Sequence, residues 1–208
     1  MHIYAFGSVC RGEVERGSDV DLLVAIEASD GRFDPIVYSI YTYGRLRSLW
    51  AEGNPFAWHL FIESRLLFAD DGIDFLRELG EPARYARRTA DCEKFYQLFL
   101  AAAGVLALRR DTVVFELSTV FLAMRNLATC FSLQSGRAPV FSRRASASIG
   151  DDSLTLDERS YEVLENARLL CTRGYGTRPS EDDIVHVVSR LDEIEEWMKS
   201  LIAKVRVE

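Results

Sequence analysis

The chain has 208 residues, of which 48% are hydrophobic and 27% are charged, with 13 glycines and 5 prolines. This composition indicates an ordinary globular protein of one large domain or two small ones. The formal net charge of −7 argues against a protein that coats nucleic acid non-specifically, so nucleic acid is not an expected partner.

The cysteines and the apolar segments favour a reduced, cytoplasmic protein. Cys10, Cys92, Cys130 and Cys171 lie far apart, without a CxxC pair or a histidine at zinc spacing, so we expect free thiols rather than a metal site. No charged-then-apolar leader follows Met1, and no uninterrupted apolar run approaches the roughly 18 residues of a membrane span. We therefore expect no membrane partner.

The first 80 residues alternate strand-like and helix-like segments. The predicted elements are, in chain order, a strand at 2–6, a strand at 20–26, a helix at 36–53, a strand at 56–64, a piece at 66–68 that extends this strand or forms a short edge, and a helix at 70–79. The segment 36–53 is predicted to be helical because its apolar residues recur at three-to-four spacing.

The pattern beyond Pro82 is helical. Helices are predicted at 84–109, 112–134, about 156–173 and 180–206, with a Ser-, Arg- and Gly-rich loop at 136–155. The last helix has one apolar stripe and a capping serine, Ser180. We therefore expect an α+β fold, with a small mixed sheet and its helices in a domain at 1–80 and an all-α bundle of four to five helices in a domain at 83–208.

Residues 6–24, "FGSVCRGEVERGSDVDLLV", combine two motifs that carry chemistry. Asp19 and Asp21 lie two positions apart and therefore on one face of a strand, where two carboxylates repel each other unless a cation neutralises them. Hard oxygen ligands favour Mg²⁺. Gly7-Ser8 follows the first strand, where backbone N–H groups and a helix start favour phosphate. The two motifs together are typical of nucleotidyl transfer; the alternative is a turn before a solvated edge.

At these residues the sequence resembles the minimal nucleotidyltransferase branch of the DNA polymerase β superfamily. The signature of that family is Gly-Ser, ten residues, then Asp-x-Asp on a strand–short helix–strand core. Here Gly7-Ser8 is followed by residues 9–18 and then by Asp19-Val20-Asp21. The resemblance is specific over residues 2–26 and extends to about 80. It implies transfer of NMP from an NTP, ATP included, to a hydroxyl group with Mg²⁺ or Mn²⁺ as cofactor.

The resemblance also implies roles for individual residues. Asp19 and Asp21 would hold the metals and act in catalysis. The residues implied in nucleotide binding are Gly7, Ser8, Arg11 and Ser18. Arg11 has a second interpretation, as a surface residue of the short helix, and the sequence leaves both open.

Fully active members of the family generally add a third carboxylate on a later strand, which shares a metal and acts as a base. On the predicted strand 56–64 the equivalent position is His59. Glu63 lies on the same face, but about 13 Å away at the rise of a strand. His59 is then a catalytic base or weak ligand, or else a packed or surface histidine. Whether His59 or Glu63 replaces the carboxylate is left open.

The helical half resembles two kinds of partner found in this superfamily, the bundle of aminoglycoside nucleotidyltransferases and the HEPN bundle. Arg125-Asn126 is similar to the start of the HEPN ribonuclease motif, but no histidine follows within reach, so we predict no nuclease activity. These two residues line a cleft or form an ordinary polar face. Arg137, Arg143 and Arg144 bind phosphate or an anionic acceptor, or belong to a solvated loop.

The sequence thus predicts a metal-dependent nucleotidyltransferase that uses an NTP and a small-molecule or protein acceptor. The alternative is a nucleotide-binding regulatory protein with weakened catalysis, as one half of a toxin–antitoxin-like pair or as a homodimer. The missing third carboxylate favours the alternative.

Overall fold

The computed structural model describes residues 1–13, 20–28, 31–108, 111–133 and 138–207. The chain divides into two compact units, Met1–Ala86 and Arg87–Glu208. A mixed sheet with helices occupies the first unit, and the described residues of the second unit contain helices without strands. The predicted α+β fold is therefore confirmed.

The first unit alternates strands and short helices. Its described elements are β1 (His2–Phe6), α1 (Ser8–Arg11), β2 (Asp21–Ile26), β3 (Tyr38–Thr42), α2 (Tyr43–Ala51), α3 (Pro55–Glu63), β4 (Ser64–Ala69) and α4 (Phe75–Glu78). The strand order is β3-β2-β1-β4. β1 is antiparallel to both of its neighbours, whereas β2 and β3 are parallel. The strands predicted at 2–6 and 20–26 are confirmed as β1 and β2.

The single helix predicted at 36–53 is wrong, because this segment forms β3 followed by α2. β-branched and aromatic residues favour the strand over Tyr38–Thr42. The side chain of Thr42 then accepts a hydrogen bond from the Arg45 N–H at 3.2 Å and caps the start of α2. The three-to-four spacing of apolar residues therefore corresponds to a helix only from Tyr43 onward.

The strand predicted at 56–64 is also wrong, because these residues form α3. Asn54 Oδ1 accepts a hydrogen bond from the Phe56 N–H at 2.9 Å, and Pro55 opens the first turn. A capping asparagine followed by proline starts a helix rather than a strand. β4 begins at Ser64 and includes the predicted edge piece 66–68. The helix predicted at 70–79 shortens to α4, which Asp74 caps.

The core of the first unit lies between one face of the sheet and α2, α3 and α4. Its buried members are Tyr4, Phe6, Leu23, Ala25, Tyr43, Leu46, Leu49, Trp50, Ala57, Leu60, Phe75 and Leu76. The Tyr4 hydroxyl donates to Asp74 Oδ1 at 3.1 Å and accepts from the Leu76 N–H at 3.0 Å. These bonds hold α4 against β1, so the sheet and its helices form one packed layer pair.

The second unit contains the described helices α5 (Arg88–Leu108), α6 (Val113–Ser132), α7 (Glu158–Arg173), α8 (Glu181–Val188) and α9 (Leu191–Val207). Short 3₁₀ turns at Ala145–Ala147 and Gly150–Asp152 interrupt the connection between α6 and α7. The helix predicted at 180–206 is wrong in one respect, since it breaks at Ser189–Arg190 into α8 and α9. The break follows from the Arg190 N–H, which donates to Val187 O rather than continuing the α-helical pattern. Ser180 caps α8 as predicted.

By length and composition, α6 would suffice to cross a membrane. It packs against α5 and α7, and its buried residues run along most of its length. Glu116 and Arg125 interrupt its apolar sequence. Burial of this kind is what the central helix of a bundle requires.

Asp157 links α7 to α8. Its carboxylate caps α7 by accepting from the Ser160 N–H at 3.0 Å, and it also accepts from the Ser160 hydroxyl at 2.7 Å and from His186 Nε2 at 2.9 Å. Burial opposes ionisation, but the hydrogen bonds from His186 and Ser160 outweigh it and hold the pKa of Asp157 well below its ordinary value of 3.8.

Loss of the cap of α3 should weaken the first unit. Asn54→Ala removes the oxygen that bonds the Phe56 N–H, and we expect a loss of about 1 kcal/mol in the free energy of unfolding. Urea unfolding followed by the fluorescence of Trp50 and Trp58 measures it. Asn54→Asp keeps a capping oxygen and should stay near wild type; an equal loss in both variants would contradict the capping role.

The stability of the second unit should fall on acidification. Because the pKa of Asp157 is lowered in the folded state, its contribution is present above about pH 4 and is lost as the pH falls through the folded-state value. Asp157→Asn keeps a capping oxygen without the charge, so it should be less stable at pH 7 and show a shallower acid dependence. Melting temperatures between pH 7 and pH 2.5 test this, with Asp182→Asn as an exposed control on α8. An unchanged acid slope in Asp157→Asn would refute it.

Candidate functional site

The candidate site lies at the edge of the sheet where β1 ends and where β2 and β4 begin. Phe6, the last residue of β1, is paired with Asp21 on one side and with Ser64 on the other. The next residue, Gly7, therefore lies between the first residue of β2 and the residue that precedes β4, which is Glu63. The antiparallel pairing of β1 with both neighbours thus brings together three segments that are distant in sequence.

Gly7 and Asp21 are in very close contact. Gly7 has φ +77°, and a Cβ built on it would lie 2.8 Å from Asp21 Oδ2. Glycine is required here for both reasons, because other residues are strained at this φ and their side chain would displace the carboxylate. The structure therefore brings together two of the predicted residues, Gly7 and Asp21. Ser18 and Asp19, which the sequence also predicts in the site, lie outside the described residues.

Glu63 lies on the other side of Gly7. Its carbonyl oxygen accepts a hydrogen bond from the Gly7 N–H at 3.1 Å. Its side chain is only 8% exposed, and Oε2 accepts from Arg11 Nη1 and, at 2.9 Å, from His59 Nε2. The site thus contains a carboxylate that is buried and charge-compensated, next to Asp21, which is exposed.

The predicted distance of about 13 Å between His59 and Glu63 is wrong. It assumed a strand, whereas the two residues are four apart on α3 and lie on the same face of the helix. The His59 ring also meets the Phe6 ring edge-on, with centroids 5.6 Å apart. His59 is thus part of the site, but its Nε2 is directed at Glu63, so a role as metal ligand or base would fall to Nδ1.

The short helix α1 follows Gly7 and carries Ser8 at its start and Arg11 at its end. Arg11 is neither a free phosphate ligand nor an unattached surface residue, since its Nε donates to Glu13 Oε2 at 2.8 Å and its Nη1 to Glu63. The Gly7 N–H is already used by Glu63. Phosphate binding by this turn therefore depends on Ser8 and the groups after it.

The arginines predicted in the second unit have structural contacts. Arg125 donates to the carbonyl oxygens of Phe141 and Ser142 at 3.3 and 3.4 Å. Arg144 pairs with Glu158 and Glu165 of α7, and its guanidinium lies 5.2 Å from the centre of the Tyr161 ring.

The other polar residues predicted for the second unit are partly exposed or lie outside the described residues. Asn126 lies on α6 and Arg143 in the connection that follows it, both partly exposed. Arg137 is outside the described residues.

A second group of metal-ligand type residues lies at the opposite end of the sheet. Potential ligand atoms of His2, Asp70 and Asp71 lie within 4.8 Å of one another. His2 is four residues from Phe6 along β1, about 13 Å at the rise of a strand. Its ring nitrogens contact the Tyr43 hydroxyl at 2.8 Å and Ile73 O at 2.9 Å. Nε2 also lies 3.2 Å from Asp71 Oδ1. Because both nitrogens have protein partners, a metal at this group would have to replace one of these contacts.

The donor set at Asp21 fits a divalent cation of the Mg²⁺ type. An exposed carboxylate is a hard oxygen ligand, and the absence of a side chain at Gly7 leaves room for the Asp21 carboxylate, whose Oδ2 lies 2.8 Å from the position of a Cβ there. The carboxylate adjoins the Ser8 turn, where a phosphate of the same metal complex would lie.

Comparison with known families identifies the first unit. Residues 2–79 match the model of the nucleotidyltransferase domain family. Residues 2–79 are a nucleotidyltransferase domain. No curated protein matches the chain significantly. The match ends before α5, so the resemblance of the helical unit to HEPN or aminoglycoside nucleotidyltransferase bundles stays a prediction.

The strand predicted at 56–64 placed Glu63 too far from His59 and therefore away from the site. The signal that would have placed it in the site is Asn54-Pro55, which starts a helix and so brings positions 59 and 63 onto one face. A helix of nine residues also moves the next strand to Ser64, directly after Glu63. The Gly7-Ser8 and Asp21 positions needed no such step, because they border the adjacent strands β1 and β2.

The close contact of Gly7 with Asp21 predicts a difference between two glycines of the same turn. Gly7 and Gly12 have φ +77° and +76°, but no atom of the described residues lies within 4 Å of a Cβ at Gly12. Gly7→Ala and Gly12→Ala should therefore share the backbone cost of about 1 kcal/mol, whereas only Gly7→Ala displaces Asp21. We expect Gly7→Ala to weaken Mn²⁺ binding in the presence of an NTP by at least about tenfold.

The measurement is an electron paramagnetic resonance titration of Mn²⁺. Gly12→Ala should bind Mn²⁺ within about twofold of wild type. Equal weakening in both variants, or none in Gly7→Ala, would show that the contact with Asp21 does not govern the metal site.

Proposed function

We propose that the protein is a metal-dependent nucleotidyltransferase that moves NMP from an NTP to a hydroxyl group of a small-molecule or protein acceptor. The observation that carries the proposal is the contact between Gly7 and Asp21 in a nucleotidyltransferase domain. It brings the Gly7-Ser8 turn, which would hold the phosphates, next to an exposed carboxylate, which would hold the metal.

In this proposal, Asp21 and Asp19 hold Mg²⁺ or Mn²⁺, and Ser8 and Ser18 contact the phosphates. The metal, when bound, neutralises the phosphate charge and aligns the reacting groups. The acceptor oxygen attacks the α-phosphorus, the bond to the β-phosphate oxygen breaks, and pyrophosphate leaves. The hydroxyl proton passes to a carboxylate of the site or to water. Asp21 is exposed, so a substrate that enters from solvent can reach its carboxylate.

The regulatory alternative is supported by the state of Glu63. Its carboxylate is engaged by Arg11 and His59, so it is less available to share a metal than the third carboxylate of an active family member. A nucleotide-binding protein that has lost transfer would have this arrangement. The two candidates differ in one observable, the release of pyrophosphate.

The test is transfer of label from each α-³²P-labelled NTP, with Mg²⁺ or Mn²⁺, to a panel of acceptors that includes the protein itself and cell lysate. Asp21→Asn and Asp19→Asn should each lower transfer by about 100-fold or more. The double variant Asp70→Asn/Asp71→Asn, at the opposite end of the sheet, should transfer label like wild type.

Three results bear on the two candidate functions and on the position of the metal site. NTP binding without transfer in the wild-type protein would favour the regulatory function. No NTP binding at all would exclude both. Loss of transfer in Asp70→Asn/Asp71→Asn, with activity kept in Asp21→Asn, would move the metal site to the His2 end.

A further inference from the structure

Glu63 contacts the turn formed by residues 7–11 at both ends. Its carbonyl oxygen accepts from the Gly7 N–H at 3.1 Å, at the start of the turn. Its carboxylate accepts from the Arg11 guanidinium at the end of the turn. A single residue at the junction of α3 and β4 therefore fixes both ends of the phosphate-binding turn.

The other contacts of the turn among the described residues are weaker. α1 is four residues long and has no buried residue, so hydrophobic packing contributes little to its position. Among the described residues, a hydrogen bond from Cys10 Sγ to Ala5 O at 3.4 Å also links the turn to β1, and a thiol is a weak donor. By contrast, the Arg11–Glu63 pair is charge-assisted, and its carboxylate is buried, which makes such a bond strong.

His59 fixes the orientation of the Glu63 carboxylate from the side of the core. Its Nε2–H donates to Oε2 at 2.9 Å, and its ring is held edge-on to Phe6. Phe6 in turn is paired with Asp21 across the sheet. The turn, the buried carboxylate and the exposed carboxylate are thus connected through one short chain of contacts.

We propose that Glu63 is a positioning residue that holds the turn of residues 7–11 against Asp21, with Arg11 as the anchor of the turn. In this role Arg11 holds the turn in place instead of binding the phosphates itself. The catalytic consequence rests on the proposed function, but the positioning of the turn does not.

If Arg11 bound phosphate directly, substitution of Glu63 would change the affinity for NTP in the opposite direction. If Glu63 only competed with phosphate for the guanidinium, Glu63→Gln would release Arg11 and strengthen NTP binding. If Glu63 positions the turn, the same substitution loosens Gly7 and Ser8 and weakens NTP binding. The sign of the change in affinity therefore separates the two roles.

The first experiment is amide hydrogen exchange of the whole protein without nucleotide, comparing wild type with Glu63→Gln, Arg11→Gln and the double variant. We expect exchange in the peptide spanning residues 7–13 to become at least about tenfold faster in each single variant. The double variant should be no faster than the single ones, because both substitutions break the same pair. Glu116→Gln is the matched control, since Glu116 is 9% exposed but lies in α6.

Slow amide hydrogen exchange, or protection, in β2 and in α5 shows that a variant is folded. If Glu63→Gln loses protection in both, Arg11→Gln, which leaves Glu63 bonded to His59, decides the result. Unchanged exchange of residues 7–13 in folded Arg11→Gln would overturn the proposal. Additive effects in the double variant would also overturn it, since they would mean that Glu63 and Arg11 act separately.

The second experiment measures the Kd of the non-hydrolysable analogue of ATP with an α,β-methylene bridge, in the presence of Mg²⁺. We expect Glu63→Gln and Arg11→Gln to raise this Kd by similar factors, about tenfold, and Arg11→Lys to restore part of the affinity. A lower Kd in Glu63→Gln would identify Arg11 as a phosphate ligand and overturn the proposal. If wild type transfers no NMP but the exchange results hold, the proposed function fails and the positioning role stands.

Discussion

The close contacts of Gly7 with Asp21 and with Glu63 are the constraint on which the site depends. β1 is flanked by β2 and β4, and both pair with Phe6. Gly7 consequently has Asp21 against its Cα on one side and Glu63 bonded to its N–H on the other. No side chain fits at this position without moving a carboxylate, so the backbone of one residue sets the spacing between the turn, the exposed carboxylate and the buried carboxylate.

The two carboxylates beside Gly7 differ in environment, and this difference suits two different tasks. Glu63 is buried, and it is paired with the Arg11 guanidinium and hydrogen-bonded to His59, which is the condition under which a buried carboxylate is tolerated. Asp21 is exposed at the start of its strand, where a cation from solvent can reach it. In the proposed mechanism, the residue that holds the turn, Glu63, is thus distinct from the residue that would face substrate, Asp21.

The predictable part of the site was the part encoded by local sequence. Gly7-Ser8 and Asp21 could be placed because they border β1 and β2, which have clear strand patterns. The position of Glu63 could not be found in the same way, because the apolar run at 56–64 fits a buried strand or a buried helix equally well. Only the cap at Asn54-Pro55 distinguishes them. Likewise, the spacing at 36–53 concealed a strand end at Thr42, whose hydroxyl caps α2.

Arginines near turns were the least predictable residues, since sequence does not reveal which carboxylates or carbonyls they meet. Arg11 ties α1 to Glu63, Arg144 ties a loop to α7 through Glu158 and Glu165, and Arg125 holds the carbonyls of Phe141 and Ser142. In each case the guanidinium joins two segments that are separate in sequence. An arginine beside a glycine-rich turn is therefore evidence for anion binding only when the carboxylates around it leave its charge uncompensated. Arg11 carries one positive charge and is paired with two carboxylates, those of Glu13 and Glu63, so its charge is already compensated.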